Sequence, residues 1–162
     1  MKIAILSDIH DNIWVLRELL AELDADAILF CGDFCAPFTL REIAERFGGP
    51  IHVIFGNNDG DQWLIGQVAG GFPQVTIHGD FAELTLGGKR VAMTHYPPIG
   101  HALARSGVYD LVCYGHDHQR VAEQMGTTAL VNPGEVMGRF GLSTYAIYDT
   151  VNGQARIVEV KR

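Results

Sequence analysis

The sequence predicts an α/β fold, because two periodicities alternate along its first third and short strands dominate the remainder. In the first third, unbroken apolar runs alternate with stretches of helical spacing, an order typical of a parallel sheet covered on both faces. The strand-rich second half predicts a second, mixed sheet. At 162 residues, with no linker and no internal repeat, the chain is expected to form a single domain over residues 1–162.

The first third contains three short apolar runs that predict buried strands: Lys2–Ser7, Ala27–Cys31 and Ile51–Phe55. Two amphipathic helices are predicted between them. The first begins after a cap at Asp11 or Asn12, since the leucines that follow recur at helical spacing. The second has its apolar residues between Leu40 and Phe47, and Gly48-Gly49-Pro50 ends it.

A helix over Gln62–Ala69 precedes the strand-rich part of the chain, and a short helix over Ile99–Ser106 interrupts it. Gly79-Asp80, Gly87-Gly88 and Asn152-Gly153 are typical of hairpin turns. The predicted strands of this part are Gln74–His78, Phe81–Leu86, Arg90–Thr94, Leu111–Tyr114, Thr128–Val131, Thr144–Tyr148 and Arg156–Val160.

Charge and cysteine content exclude several classes of protein. A formal net charge of −7 disfavours nucleic acid and anionic membranes as partners. The three cysteines are too few for a secreted disulfide framework and indicate a reducing cytoplasm. The first apolar run is too short for a signal peptide, and no run approaches the roughly 18 residues of a membrane span. We therefore expect a soluble, cytoplasmic protein.

Seven side chains with metal-ligating atoms follow five of the predicted strands: Asp8, His10, Asp33, Asn57, His95, His116 and His118. Taken singly, each has a structural explanation, because acidic and amide residues are common in turns and a lone histidine is more often a satisfied polar residue. Independent turns, however, have no reason to place four histidines at strand ends. Since open α/β sheets form their ligand crevice at the carboxyl ends of the strands, we expect these groups to converge on a metal site.

Two ions are expected at this site, because one ion takes about four to six ligands. Imidazole combined with carboxylate and amide oxygen favours manganese, with nickel, iron or zinc as alternatives, over magnesium or calcium. A shared carboxylate would hold two ions ~3.5–4 Å apart, the spacing used for in-line displacement at phosphorus. The residues themselves therefore predict phosphoester hydrolysis.

The ordered motifs resemble those of the calcineurin-like metallophosphoesterase superfamily, whose pattern is D-x-H, G-D, G-N-H-D/E, H and G-H-x-H. Within it, the chain is most similar to the small prokaryotic phosphodiesterases of the YfcE and MJ0936 type, which share the segment Asn132-Pro133-Gly134. The resemblance implies the metallo-dependent phosphatase fold, a four-layer α-β-β-α sandwich of two mixed sheets. It also implies a phosphodiesterase whose substrate is a small phosphoester.

The resemblance further implies how the ligands divide between two ions. One ion would be held by Asp8, His10, Asp33 and His118, and the other by Asp33, Asn57, His95 and His116. Asp33 would bridge the ions, and a hydroxide shared between them would attack phosphorus, because metal coordination can lower the pKa of a bound water to ~7.

The chain departs from the family pattern at two positions. Asn58 stands where the wider family has a histidine that protonates the leaving group, so a contact with the leaving group or the phosphate is expected of it. Because an amide has no titratable proton near neutral pH, we expect a preference for leaving groups that need little protonation.

Glu135 stands where a small hydroxyl residue is expected, and the sequence assigns it no role. Asp59 is expected either to support a ligand or, slightly favoured, to cap the following helix.

Two other functions were weighed. A non-catalytic scaffold on the same fold, which binds a protein partner, is expected to lose imidazole ligands, and this chain keeps all four. A nucleotide-binding regulatory module is disfavoured, because Gly88-Lys89 is followed by Arg90 and no phosphate-binding loop motif is present. The oligomeric state stays open, since Trp63, Phe72 and Phe140 fit either a subunit contact or the core.

Overall fold

The computed structural model describes residues 1–161, which form two β-sheets and four helices. The strands are β1 (Lys2–Leu6), β2 (Ala27–Phe30), β3 (Ile51–Val53), β4 (Val75–Ile77), β5 (Phe81–Leu86), β6 (Lys89–Thr94), β7 (Leu111–Cys113), β8 (Arg120–Met125), β9 (Thr128–Pro133), β10 (Thr144–Asp149) and β11 (Gln154–Glu159). The helices are α1 (Ile13–Glu22), α2 (Pro37–Arg46), α3 (Gln62–Ala69) and α4 (Pro97–Arg105).

The first sheet has six strands in the order β11-β10-β1-β2-β3-β4. Its strands β1 to β4 run parallel, as the unbroken apolar runs predict, whereas β10 lies antiparallel to β1 and pairs with β11 in a hairpin. The second sheet has the order β5-β6-β7-β9-β8, with a parallel centre and an antiparallel strand at each edge. Both sheets are therefore mixed.

Alternating side chains of the first sheet divide the core into layers. Ala4 and Leu6 pack on the side of α1, α2 and α3, whereas Ile3 and Ile5 pack between the two sheets. On the outer face of the second sheet, Tyr114 packs in one cluster with Ala104 of α4. The order of layers is thus helix, sheet, sheet, helix, which confirms the predicted four-layer sandwich.

Three predicted strands belong to a different sheet from the one expected. β4 lies in the first sheet because it pairs with β3 and not with β5. β10 lies there because it pairs with β1, and β11 joins the same sheet through its hairpin with β10. Gly79-Asp80 is consequently a crossing between sheets and not a hairpin, whereas Gly87-Gly88 joins β5 and β6 as predicted. The strand β8 was missed, because four of its six residues are exposed and its apolar alternation is weak.

Of the three aromatic residues left open by the sequence, Phe72 packs against the core beneath the helices, while Trp63 and Phe140 are 74% and 71% exposed. Asn12 caps α1 by accepting from the backbone N–H of Val15, at 3.4 Å. Within residues 1–161, no helix combines the length and apolar character needed to cross a bilayer.

Candidate metal centre

Both sheets contribute to the site, because all seven predicted ligands lie beyond the carboxyl ends of parallel strands. The loops after β1, β2 and β3 of the first sheet provide Asp8, His10, Asp33 and Asn57. The loops after β6 and β7 of the second sheet provide His95, His116 and His118. The distances below show that these seven side chains lie side by side where the sheets meet.

One group of donors surrounds the buried carboxylate of Asp8. Its Oδ1 lies 3.6 Å from Nε2 of His10 and 3.4 Å from Nε2 of His118. One ligand atom from each of these three residues lies within 4.8 Å of the others, a separation that a single ion can span. The two imidazole rings stack with their centroids 5.3 Å apart.

The second group surrounds Asp33. Its Oδ2 lies 3.4 Å from Nε2 of His95, and Asn57 Oδ1 lies 3.1 Å from the same nitrogen and 2.8 Å from Nδ1 of His116. Asp33 Oδ2 is also 3.7 Å from Nε2 of His10, which belongs to the first group. Asp33 therefore lies between the two groups, where one carboxylate can reach both.

The donors fit divalent cations. Among the described residues, two buried side-chain atoms lack a hydrogen-bond partner, Asp8 Oδ1 and His10 Nε2, and an unsatisfied buried pair calls for an ion or a water. His95 donates its Nδ1 proton to the carbonyl oxygen of Cys31 at 2.7 Å, which turns the other nitrogen towards the cluster as a ligand. Asp8 Oδ1 and His10 Nε2 lie 3.6 Å apart, and a cation bound by both would satisfy them.

The backbone at the site is strained. Five of the seven predicted ligands have positive φ angles, between 45° and 77°: Asp8, His10, Asp33, His116 and His118. Such conformations are uncommon for residues other than glycine and gather at functional sites. Gly32, with φ of +92°, makes the turn before Asp33, and a Cβ there would lie 2.8 Å from Nδ1 of His95. The predicted ligands are therefore held in backbone conformations that are unfavourable for residues other than glycine.

Asp59 binds the backbone of the loops that carry Asp33 and Asn57. Its buried carboxylate accepts the backbone N–H groups of Asp33 at 2.9 Å, Cys35 at 2.8 Å and Gly56 at 2.6 Å. The expectation that Asp59 caps the next helix is wrong, because Asp61 caps α3 through the N–H of Leu64. Burial of Asp59 raises its pKa despite these three hydrogen bonds.

Asn58 binds the side chain of Asp33. Its backbone N–H donates to Oδ1 at 2.8 Å, and its side-chain amide donates to Oδ2 at 2.7 Å. Burial raises the pKa of Asp33, but the opposing effects of His95 and these two bonds outweigh it and hold the pKa well below its ordinary value. These contacts therefore favour the ionised form of Asp33.

Carboxylates also raise the pKa values of two neighbouring histidines. The Asp8 carboxylate is the chief reason why the pKa of His10 is raised. Burial lowers the pKa of His95, but the attraction of Asp33 exceeds it, so the net direction is upwards. Both shifts indicate a place where positive charge is favoured.

Glu135 is a residue of the site that the sequence did not reveal. It is 3% exposed, and its Oε2 accepts from Nδ1 of His118 at 2.6 Å. Its Oε1 accepts the backbone N–H of Phe140 at 2.5 Å. A carboxylate that orients a ligating histidine is a common partner in metal sites. The departure at the residue after Asn132-Pro133-Gly134 was the signal that could have identified it.

Three comparisons relate the chain to known phosphoesterases. The family model of the calcineurin-like phosphoesterase superfamily domain matches residues 1–153. The chain is 32% identical to phosphodiesterase MJ0936 of Methanocaldococcus jannaschii, over 96% of this chain and 97% of that protein. It is 28% identical to phosphodiesterase YfcE of Escherichia coli, over 84% of this chain and 79% of that protein. A solved structure described as a novel archaeal phosphodiesterase superposes with a TM-score of 0.89, at 30% identity, and the match covers 98% of this chain and 99% of that one.

Proposed function

The chain belongs to the calcineurin-like phosphoesterase superfamily, and on this premise we propose that it is a phosphodiesterase that uses two divalent metal ions, with manganese first among the candidates. Membership of this superfamily directly supports a metal-dependent phosphoester hydrolase. The number of ions, the ligand assignment and the preference for diesters over monoesters are the parts that need an experiment. We also assign the activity to one domain over residues 1–162.

The observation that supports two ions is that Asp33 Oδ2 lies 3.7 Å from Nε2 of His10 in the first group and 3.4 Å from Nε2 of His95 in the second. Asp8 also reaches both groups, because its ligand atom lies within 4.8 Å of those of Asp33 and His95. In the proposed arrangement, one ion is held by Asp8, His10, Asp33 and His118, and the other by Asp33, Asn57, His95 and His116. Bound at these positions, the ions would supply a hydroxide nucleophile near neutral pH and neutralise charge on the phosphoryl oxygens.

The protein's own residues supply orientation and charge. Asp33 is fixed by two hydrogen bonds from Asn58, so its Oδ2 keeps the same position relative to both groups of donors. The carbonyl oxygen of Cys31 and the carboxylate of Glu135 accept from the outer nitrogens of His95 and His118, so each of these two rings presents Nε2 inwards. Pre-orientation of this kind lowers the cost of organising the site during the reaction.

Asn58 supports a preference for good leaving groups. Its amide contacts the carboxylate of Asp33, and it has no proton to transfer near neutral pH. General-acid catalysis contributes typically about 10²–10⁴-fold, so esters of alcohols with a high pKa should react slowly. Aryl phosphodiesters are the substrates that this site should hydrolyse fastest.

A non-catalytic scaffold is the second candidate, and the donor geometry argues against it. A scaffold has no need for two unsatisfied buried ligand atoms or for strained backbone at five ligand positions. The grouping of the imidazoles with both aspartates supports the enzyme over the scaffold.

The deciding experiment compares the chelated protein with the same protein reloaded with Mn²⁺, using bis(4-nitrophenyl) phosphate and 4-nitrophenyl phosphate as substrates. We expect hydrolysis only after reloading, with the diester the better substrate, and about two Mn²⁺ per chain by elemental analysis. Equal rates before and after reloading would reject metal dependence. One bound ion would reject the dinuclear centre, and a faster monoester would reject the diester preference.

A further inference from the structure

A cavity of about 530 Å³ opens directly beside the candidate metal centre, on the side of the second sheet. Its wall includes the predicted ligands His116 and His118 together with Phe140 and Leu142. This volume falls within the range of about 300–1,000 Å³ that is typical of small-molecule pockets. A phosphate held at the centre would therefore have space on this side for one of its two ester arms.

Phe140 gives the cavity an exposed aromatic surface. The ring is 71% exposed, and its centroid lies 5.3 Å from that of His118, at an interplanar angle of 72°. The guanidinium of Arg139 lies over the ring, 5.1 Å from its centroid. Leu142, 49% exposed, adds an apolar side chain to the same wall. Exposed apolar groups next to a reactive centre are typical of a ligand-binding surface.

The position of Phe140 relative to the centre is fixed through its backbone. The N–H of Phe140 donates to one oxygen of Glu135, whose other oxygen accepts from His118. One buried carboxylate thus connects a predicted metal ligand with the aromatic wall. A ring held in this way can bind an ester arm whose phosphate is at the metal centre.

Arg120 supplies an unpaired positive charge on the same wall. It makes no ion pair with any of residues 1–161, although the net charge of the chain is −7. The two carboxylates that line the cavity already have partners: Asp117 accepts from Asn132 at 2.7 Å, and Glu135 accepts from His118 and from the backbone N–H of Phe140. The guanidinium therefore remains free for a polar or anionic group of a ligand.

We infer that this cavity is a subsite for an aromatic ester arm of the phosphodiester substrate, with Phe140 stacking on the arm and Arg120 contacting its polar edge. A nucleoside, which joins a planar base to a sugar, has the required chemistry and size. The inference rests on the proposed function, because it assumes that the phosphate lies at the metal centre. It adds the class of substrate that the centre alone does not specify.

The test compares two esters with the same nitrophenolate leaving group, thymidine 5′-(4-nitrophenyl) phosphate and methyl 4-nitrophenyl phosphate, on the Mn²⁺-loaded protein. We expect kcat/KM for the thymidine ester to exceed that for the methyl ester by about tenfold, since base stacking on an aromatic side chain has an effect of this order. Phe140→Ala should remove most of this ratio through KM, and Phe140→Tyr should restore it. Arg120→Gln should reduce the ratio by a smaller factor.

Val151→Ala and Arg105→Gln are matched controls, because both side chains are exposed and lie on parts of the chain that do not line the cavity. Neither should change the ratio. A wild-type ratio near one, or a Phe140→Ala variant that keeps the wild-type ratio, would overturn the inference. A change in oligomeric state of Phe140→Ala at an unchanged ratio would do the same and would assign the ring to a contact between copies.

A second readout separates this inference from the proposed function. Saturation-transfer NMR of thymidine with the metal-free protein needs no turnover, and thymidine has no phosphate for the carboxylates of Asp8 and Asp33 to repel. We expect transfer to the base protons in the wild type and its loss in Phe140→Ala. If neither ester is hydrolysed but this transfer is seen, the proposed function fails and the subsite stands. If both esters are hydrolysed at equal kcat/KM without transfer to the base, the subsite fails and the proposed function stands.

Discussion

Two groups of histidines in this molecule have opposite surroundings. His10 and His95 lie in the candidate metal centre, where aspartates face them at 3.4–3.7 Å. His52 of β3 and His78, which follows β4, face each other instead, with Nδ1 of the first 3.0 Å from Nε2 of the second. All four side chains are at least partly buried.

The difference between the two groups is the presence of carboxylates. Aspartates outweigh burial and raise the pKa values of His10 and His95. At His52 burial lowers the pKa, and His78 lowers it further, while burial alone lowers the pKa of His78. In this chain, the histidines that have acidic side chains beside them favour positive charge, and the pair that lacks them does not. A pair of imidazoles alone is a neutral, hydrogen-bonded packing element.

The largest effect should come from removing the carboxylate at the middle of the centre. Asp33→Asn keeps the size of the side chain and an oxygen for Asn58, so the fold should survive. We expect hydrolysis of bis(4-nitrophenyl) phosphate to fall at least about a hundredfold, the scale of losing one charge-stabilising group. Activity and bound Mn²⁺ would be measured with far-UV circular dichroism as the check on folding.

His52→Gln is the control for this variant, because it changes a histidine in the group without carboxylates. It should leave the rate within about twofold of wild type, the scatter expected for a substitution distant from the site. If Asp33→Asn retained full turnover, or if both variants lost activity equally, the distinction between the two histidine groups would have no functional meaning.

The next effect concerns the carboxylate behind His118. Glu135→Gln retains the shape of the side chain but loses the charge that orients Nδ1 of His118. We expect the Kd for Mn²⁺ to rise by about 10–100-fold, as is typical when such a partner is removed. Electron paramagnetic resonance of free Mn²⁺ during a titration would measure it. Glu123→Gln on β8, an exposed acidic residue, is the control; an unchanged Kd in Glu135→Gln would assign the residue to loop structure only.

A smaller and selective effect is expected from adding an imidazole next to Asp33. In Asn58→His the new ring would face a carboxylate and could donate a proton. We expect the rate on a phosphodiester with an alkyl leaving group to rise by about tenfold, which is less than the typical effect of a well-placed general acid. The rate on a nitrophenyl ester should rise by less. Steady-state kinetics on both esters would decide, and equal changes on the two would contradict the leaving-group argument.

The smallest effect is on stability and arises in the group without carboxylates. Because the pKa values of His52 and His78 are lowered in the folded state, the unfolded chain binds more protons as pH falls below about 6.5. This pair therefore lowers the free energy of unfolding as the solution is acidified from pH 7.5 to 5.5. His78→Gln should lose less stability than wild type over that interval, measured by urea unfolding of the chelated proteins. A steeper loss in the variant would reverse the assignment.

Much of the fold could be predicted, because strand ends and helical spacing are local properties of the sequence. The helix α3 and the strand β5 have the predicted bounds, and other elements shift by a few residues at their ends. Sheet membership could not be predicted, since a hydrophobic run such as β10 does not specify its partner. β8 was missed because alternation is faint where most side chains face solvent.

At the candidate site, the seven donor residues could be predicted because each follows a strand. The residues that hydrogen-bond to these donors could not be predicted. Asp59 was expected to cap a helix, because nothing local shows that the carboxylate accepts the N–H groups of Asp33 and Cys35. Glu135 is 17 residues from His118 in sequence, and only the folded loop brings them to 2.6 Å. Long-range hydrogen bonds of this kind leave no periodic pattern in the sequence. The assignment of ligands to the two ions stays a prediction.

The arrangement of the strand ends has a mechanical consequence. Asp8 and Asp33 extend from one sheet and His95 and His118 from the other, so any ion that they coordinate adds a cross-link to the apolar contacts and hydrogen bonds that already join the two layers. Such a cross-link resists sliding of one layer over the other at the edge where substrate enters. Chelation would then do more than stop the chemistry, because it would also remove one of the links between the two sheets.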